Sequence, residues 1–543
     1  MPPHRHAYRP AVMGARGAVT SAHPLASMAG IRILLEGGNA VDAAVAVGST
    51  LNVVEPFMSS VGGIGLMLIS RARTRERHVL DFVGPAPAGA PSGAALAAVT
   101  EDDLVGGPRA CATPGNLGGW LAALARFGTM PAARVLDPAI ALCEGGVPLT
   151  RMNADFFEGA RATLGRSAEA ERLYLGNGGP RPGKLVTYKE LGATFRQVAE
   201  GGAEAFYRGP IAKAIARAVR EAGGWLSEAD LAGFSPEWRE PLTIDYRGHE
   251  IASMPAPFSA FQMLETLNIL EGFDVAGWGA HSVEYLHHLI EAVKLGSADR
   301  LAYAYGGTAP VRGLVSKAYA ASQRARIDAG RAAASEGERH GVKLPGQVTE
   351  GHPARFENEH TTHFACADAE GTVVSVTQTL GVPFGSGFAV PGTGIVLNNI
   401  LKWMDRDPAS PNALRPGQKA GTMMSPTQVF KDGAFRLSIG TPGSYGILQT
   451  TPQMLLNVLE FGHDVQEAIE APRVRVYRDR LVDAETRIPA ETVAGLAARG
   501  HQVNAIGDWS WIVGGGQGIA RDPESGALIA GADPRRDGYA LAI

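Results

Sequence analysis

His360-Thr361-Thr362-His363-Phe364-Ala365-Cys366-Ala367-Asp368-Ala369-Glu370-Gly371-Thr372-Val373-Val374-Ser375-Val376-Thr377-Gln378-Thr379-Leu380 reads as two short strands around a tight turn. Thr, Val, Phe and Cys fill the flanks, and Ala369-Glu370-Gly371 makes a three-residue loop with Gly where a left-handed backbone is wanted. With that loop closing the hairpin, paired positions have a constant sum: Asp368 faces Thr372, Cys366 faces Val374 and Phe364 faces Val376. Carried to the open end, the register sets Thr379 across from Thr361. Directly opposed residues have Cβ atoms about 4.5–5.5 Å apart, so two hydroxyls can meet there. Taken alone, facing threonines are an ordinary β-branched pair.

This stretch resembles the nucleophile region of the γ-glutamyltransferase (glutathione hydrolase) family of N-terminal-nucleophile hydrolases. The family motif is Thr-Thr-His followed by a hairpin ending Ser-Val-Thr-x-Thr-Leu, matched at Thr361 to His363 and at Ser375 to Leu380. Gly37-Gly38-Asn39-Ala40-Val41-Asp42-Ala43-Ala44, Pro114 to Gly119, Gly128 to Pro131 and Asp137 to Ala139 continue the resemblance in matching order. It implies an α+β fold, a four-layer αββα sandwich of two stacked antiparallel sheets flanked by helices. It also implies a chain made as one inactive precursor and cut between His360 and Thr361. The expected boundaries are an N-terminal tail over 1–18, a large subunit over 19–360 with a mobile segment at 324–358, and a small catalytic subunit over 361–543.

The chemistry has a plain physical reason. A Thr hydroxyl is a poor nucleophile until a base takes its proton, and an α-amine titrates at about 7.7–8.0, close to working pH. Only an N-terminal Thr carries such a base. By resemblance Thr361 is the nucleophile and Thr379 its catalytic neighbour. Gly440-Thr441-Pro442-Gly443-Ser444 enters a helix, and backbone N–H groups at such a turn can stabilise an oxyanion. The family places its oxyanion pair on Gly443 and Ser444.

The substrate clamp departs from the pattern. The family grips a glutamyl α-carboxylate with an Arg after Leu-Asp-Phe and with two serines before Met-Ser-Pro. Here Leu80-Asp81-Phe82 is followed by Val83, and Thr422-Met423 replaces the serines. The groups that hold the α-amine fall on Gly381 and, after Leu397-Asn398-Asn399, on Ile400 and Asp405. Arg replaced by Val forfeits a charge-assisted contact of about 1.5–3 kcal/mol. The connection from Asp405 to Gly421 is short beside the family's covering loop, which marks a divergent, lidless member. The expected function is a self-processing amidohydrolase acting on a small acidic amide through an acyl-enzyme. True γ-glutamyl transfer or glutathione hydrolysis is the alternative, and an inactive family member serving as a binding protein comes third.

Composition narrows the remaining classes. A formal net charge of −4 over 543 residues leaves no basic footprint for nucleic acid. Three scattered cysteines make neither a disulfide framework nor a metal cluster. His287 and His288 lie on an amphipathic helix without a metalloprotease Glu, so they read as structural and no metal is expected. Val61 to Ile69 is a glycine turn feeding a buried strand, without dinucleotide spacing, so no cofactor is expected. The start has no apolar run and no stretch is long enough to span a membrane, which gives a cytoplasmic expectation. The expected partners are a small amide or γ-glutamyl substrate and the two subunits of one precursor.

Overall fold

Period-2 alternation along the hairpin decides what lies on either side of it. The computed structural model describes residues 7–176, 178–304, 309–334, 337–339, 342–344 and 360–543. In chain order its main strands are β1 (Val12–Gly14), β2 (Gly17–Ser21), β3 (Ile64–Arg71), β4 (Glu76–Asp81), β5 (Glu237–Arg239), β6 (Leu242–Tyr246), β7 (His249–Ser253), β8 (His360–Asp368), β9 (Thr372–Gly381), β10 (Thr427–Lys431), β11 (Ala434–Gly440), β12 (Gln517–Arg521), β13 (Leu528–Ala532) and β14 (Tyr539–Ala542). They form two seven-stranded antiparallel sheets, ordered β14-β2-β8-β9-β3-β4-β5 and β1-β13-β12-β11-β10-β7-β6.

One face of the first sheet presents Met67, Ile69, Phe364, Cys366, Val374 and Val376 to helices α1 (Pro24–Leu35) and α2 (Ala40–Val54). The other face meets the second sheet. There the Gln428 amide donates to the carbonyls of Leu68 at 3.3 Å and Val373 at 3.1 Å, and Thr20 Oγ1 donates to the Gly531 carbonyl at 2.7 Å. Helices α3 (Ala260–Leu270), α4 (Val283–Tyr303) and α5 (Ile447–Leu459) cover the far side of the second sheet. Two stacked sheets between helical layers is the expected α+β sandwich.

Local signals hold where the sequence shows them. Asn39 caps α2 in a reciprocal box with Asp42. Leu286, Ile290 and Val293 are buried on α4. On α1 the apolar spacing predicts a face of Leu25, Met28, Ile31, Leu34 and Leu35, yet Met28 and Leu35 are exposed. The helix packs instead through small residues: a Cβ on Gly30 would come within 2.7 Å of Val47 on α2.

Two expected boundaries change. The tail predicted over 1–18 includes β1 and the start of β2, because the C-terminal strand supplies the missing partner. Gly17 pairs with Ile543 through N–H···O bonds of 3.2 and 2.9 Å, and β2 runs antiparallel to β14. The segment predicted as mobile from 324 is docked as far as Ala333. Arg324 donates to the Ile269 carbonyl, Ala332 N–H to Arg499, and Lys294 Nζ to the Ala333 carbonyl at 2.8 Å. Beyond 334 that expectation lies outside the described residues, apart from a short backbone pairing of 337–339 with 342–344. Among the described residues no helix is long and apolar enough to cross a membrane.

One buried pair on α3 and α4 gives a measurable consequence. Glu265 is fully buried, and burial, then the facing Asp299, pushes its pKa up to about 10. Asp299 Oδ2 already accepts from Tyr319 at 2.8 Å and Gln323 at 2.6 Å. The folded pKa lies above the unfolded value of 4.5, so the stability Glu265 contributes is complete below that pH and drains away as pH rises toward 10. Glu265→Gln keeps a donor for Asp299 without the ionisation. Its melting temperature should match the native chain near pH 4.5 and exceed it by a few degrees at pH 8, a gap that thermal melts across this range would read.

Candidate active site

The β8–β9 ladder keeps the register set by its loop: Cys366 opposite Val374, Phe364 opposite Val376 and Thr361 opposite Thr379. Thr361 Oγ1 donates to Thr379 Oγ1 at 3.4 Å, and Thr379 Oγ1 also accepts the Gly381 N–H at 2.9 Å. The ladder is regular up to Thr361 and shifts between Thr361 and His360, the latter pairing with Gly381. The backbone irregularity thus coincides with the bond expected to break. β3 flanks the pair on the other edge, where a Cβ on Gly63 would sit 2.5 Å from the Thr379 carbonyl. The glycine turn before β3 is required by this close approach.

Two charged residues that the sequence reading did not single out bracket the nucleophile. Thr362 Oγ1 donates to Glu55 Oε2 at 3.0 Å. Glu55 closes α2, a helix terminus that disfavours a carboxylate, and its pKa is pushed up to about 8, with burial the largest cause and Arg536 opposing it. Arg536 Nη1 donates to the Thr361 carbonyl at 3.3 Å and lies 3.8 Å from Met58 Sδ. Glu55 had a weak signal, as the only charge between Ala43 and Ser70. Arg536 sits in a charged run, Asp533-Pro534-Arg535-Arg536-Asp537, that reads as solvated surface.

His363 faces the second sheet. Its Nδ1 bonds Thr377 Oγ1 at 2.8 Å, and full burial holds its pKa down at about 3, so it stays neutral. A Cβ on Gly440 would fall 2.3 Å from the ring, so the end of β11 lies directly against the nucleophile strand. Thr441 to Ser444 continue from there into a short 3-10 turn and α5. Thr441 Oγ1 accepts the Gly515 N–H at 2.9 Å, which pins the turn. Gly443 has φ 131° and Ser444 φ 56°, both left-handed, and for Ser444 this is a strained conformation.

The expected substrate residues are placed less uniformly. Val83, Ile400 and Met423 are buried in one apolar cluster, with Val83 N–H held by Asp81 and Ile400 N–H by Asn398. Gly381 has φ 104°, and a Cβ there would meet Asn399 Oδ1 at 2.2 Å. The Asn399 carboxamide therefore occupies the space a side chain at 381 would take. Thr422 is buried and its carbonyl accepts the Ser259 N–H at 2.9 Å. Asp405 is engaged in its own turn, accepting from Ser410 Oγ and pairing its backbone with Asn412.

Away from the nucleophile, His287 Nδ1 bonds His501 Nε2 at 2.8 Å, and His287 Nε2 donates to the Asp328 carbonyl at 2.8 Å. Glu291 completes a group of metal-type donors, but the Lys294 ammonium already lies 2.8 Å from Glu291 Oε1.

The family described as Gamma-glutamyltranspeptidase matches residues 26–543. The chain is 36% identical over 550 residues to the Acylase ACY 1 proenzyme of Pseudomonas sp. (strain SE83), covering 98% of this chain and 94% of that protein. It is 33% identical over 553 residues to the Glutathione hydrolase proenzyme of Bacillus subtilis (strain 168), covering 99% and 93%. The crystal structure of cephalosporin acylase from Bacillus halodurans superposes with a TM-score of 0.90 at 31% identity, covering 100% of this chain and 98% of that one. The paired threonines, the stacked sheets and these similarities lead to one conclusion: the chain belongs to the γ-glutamyltranspeptidase family of N-terminal-nucleophile hydrolases and is an enzyme.

Proposed function

We propose that this enzyme cuts its own chain before Thr361 and then uses the freed Thr361 to hydrolyse a small acidic amide through an acyl-enzyme. The observation that carries the reading is the 3.4 Å hydroxyl pair of Thr361 and Thr379 at a break in the ladder. In the first reaction Thr361 Oγ1 attacks the His360 carbonyl carbon, the peptide nitrogen leaves as the Thr361 amine, and water opens the resulting ester. In the second, that amine takes the hydroxyl proton while Oγ1 attacks the substrate carbonyl. The N–H groups of Gly443 and Ser444 receive the oxyanion, the substrate amine departs with the proton, and water releases the acid. The relatives named as proenzymes support the two-step account.

Purified protein should therefore run as two fragments, the smaller beginning at Thr361, and Thr361→Ala should remain one chain of 543 residues. N-terminal sequencing checks both; cleavage at another bond, or in the variant, contradicts the reading. Thr379→Ala removes one hydrogen bond from the nucleophile and should lower kcat by roughly tenfold, with Thr379→Ser recovering most of it. Equal activity in Thr379→Ala would show that the second hydroxyl is a packing partner only.

The glutathione hydrolase relative favours a second reading, transfer of a γ-glutamyl group. Glutaryl and γ-glutamyl groups share the distal carboxylate and differ in the α-ammonium, and Val83, Ile400 and Met423 give no charge to match that ammonium, whose burial without a partner costs several kcal/mol. Glutaryl anilide should therefore exceed γ-glutamyl anilide in kcat/KM, with little stimulation by a dipeptide acceptor. A γ-glutamyl preference that the acceptor stimulates would select the second reading.

A further inference from the structure

Val83 leaves the site without the family's carboxylate-binding arginine, but a different guanidinium lies against the nucleophile. Arg536 is 2% exposed, and its position is set from both sides. Its neighbour Arg535 is locked by Glu485, at 2.7 and 2.5 Å, and by Asp533 at 3.1 Å. A Cβ on Gly515 would come within 2.6 Å of the Arg536 side chain, so that backbone forms one wall. On the other side Nη1 is spent on the Thr361 carbonyl.

The remaining edge of the guanidinium, Nε and Nη2, has no hydrogen-bond partner among the described residues. Among the described residues the carboxylates that face the charge, Glu55 and Asp533, are shared with other groups. Asp533 already answers Arg473 and Arg535. Glu55 faces Arg536 electrostatically, but burial pushes its pKa up toward the neutral form, and Thr362 holds one of its oxygens. Asp537 Oδ2 is taken by Thr150 at 2.5 Å. A buried cation without an anion is costly, and Nε–H and Nη2–H are the two parallel donors that receive a carboxylate side-on.

We propose that the Nε/Nη2 edge of Arg536 receives the distal carboxylate of the acyl group, which makes Arg536 the residue that sets preference for an acidic over an apolar acyl chain. The inference rests on the reading of Thr361 as nucleophile. Because Nη1 sits on the carbonyl of Thr361 itself, a carboxylate on the unpartnered edge lies within a short chain of the carbon under attack. Arg536 thereby replaces, from the opposite end of the sequence, the charge lost at Val83.

The test compares glutaryl anilide with valeryl anilide, the same chain with a methyl in place of the carboxylate. The native enzyme should favour glutaryl. In Arg536→Gln the glutaryl-to-valeryl ratio of kcat/KM should fall roughly 10- to 100-fold, and Arg536→Lys should keep an intermediate ratio. If both substrates slow together and the ratio holds, Arg536 only caps the Thr361 carbonyl and the proposal is overturned. A second measurement needs neither turnover nor a foldable variant: glutarate should raise the melting temperature of the native protein where valeramide does not. Equal shifts overturn the proposal as well. Absence of any fragment beginning at Thr361 would instead strike the nucleophile reading, so the two failures are distinguishable.

Discussion

The antiparallel register of β8 and β9 is the constraint on which the rest of the molecule depends. A three-residue loop fixes it, and it sends Phe364, Cys366, Val374 and Val376 toward the helices while Thr361, His363, Thr377 and Thr379 face the second sheet. A slip of one residue would invert both faces and separate the two hydroxyls. The neighbouring glycines answer to the same register. Gly63 lets β3 approach the Thr379 carbonyl, and Gly440 lets β11 lie against His363.

Charge is handled in two ways around this frame. In the C-terminal turn, Arg473 and Arg535 share Asp533 and Glu485, all with fully buried side chains, so each charge has an opposite within bonding distance. Such a network gives little net stability but fixes geometry, since removal of one member strands another. What it fixes is the backbone that carries Arg536. Beside the nucleophile the matching is incomplete among the described residues, with Glu55 pushed toward its neutral form and one buried edge of Arg536 without a hydrogen-bond partner. A buried guanidinium edge without a partner beside the nucleophile is a place where a ligand can supply the missing one.

Much of this was legible in the sequence, and the parts that were not share a cause. The hairpin, its register, the α2 capping box and the turn from β11 into α5 rest on neighbours within about twenty residues, and all were readable. The pairing of β2 with β14 was not, because its partners lie at opposite ends of the chain. The buried face of α1 was misread since apolar spacing does not reveal that Gly30 and Ala26 allow a closer helix contact than Met28 would. Gly381 read as a missing ligand, whereas the fold fills that space with Asn399. Glu55 and Arg536 meet the nucleophile only through tertiary structure, and neither had a spacing to betray it.

The central claim is that Thr361, once N-terminal, carries the acyl group. Acid-quenched enzyme incubated with glutaryl anilide, digested and read by mass spectrometry, tests it most directly. The account predicts one added glutaryl group on the first residue of the peptide that begins at Thr361, lost on standing at alkaline pH as an ester is. A stable adduct on another residue, or turnover with no adduct on Thr361 at any quench time, would contradict it.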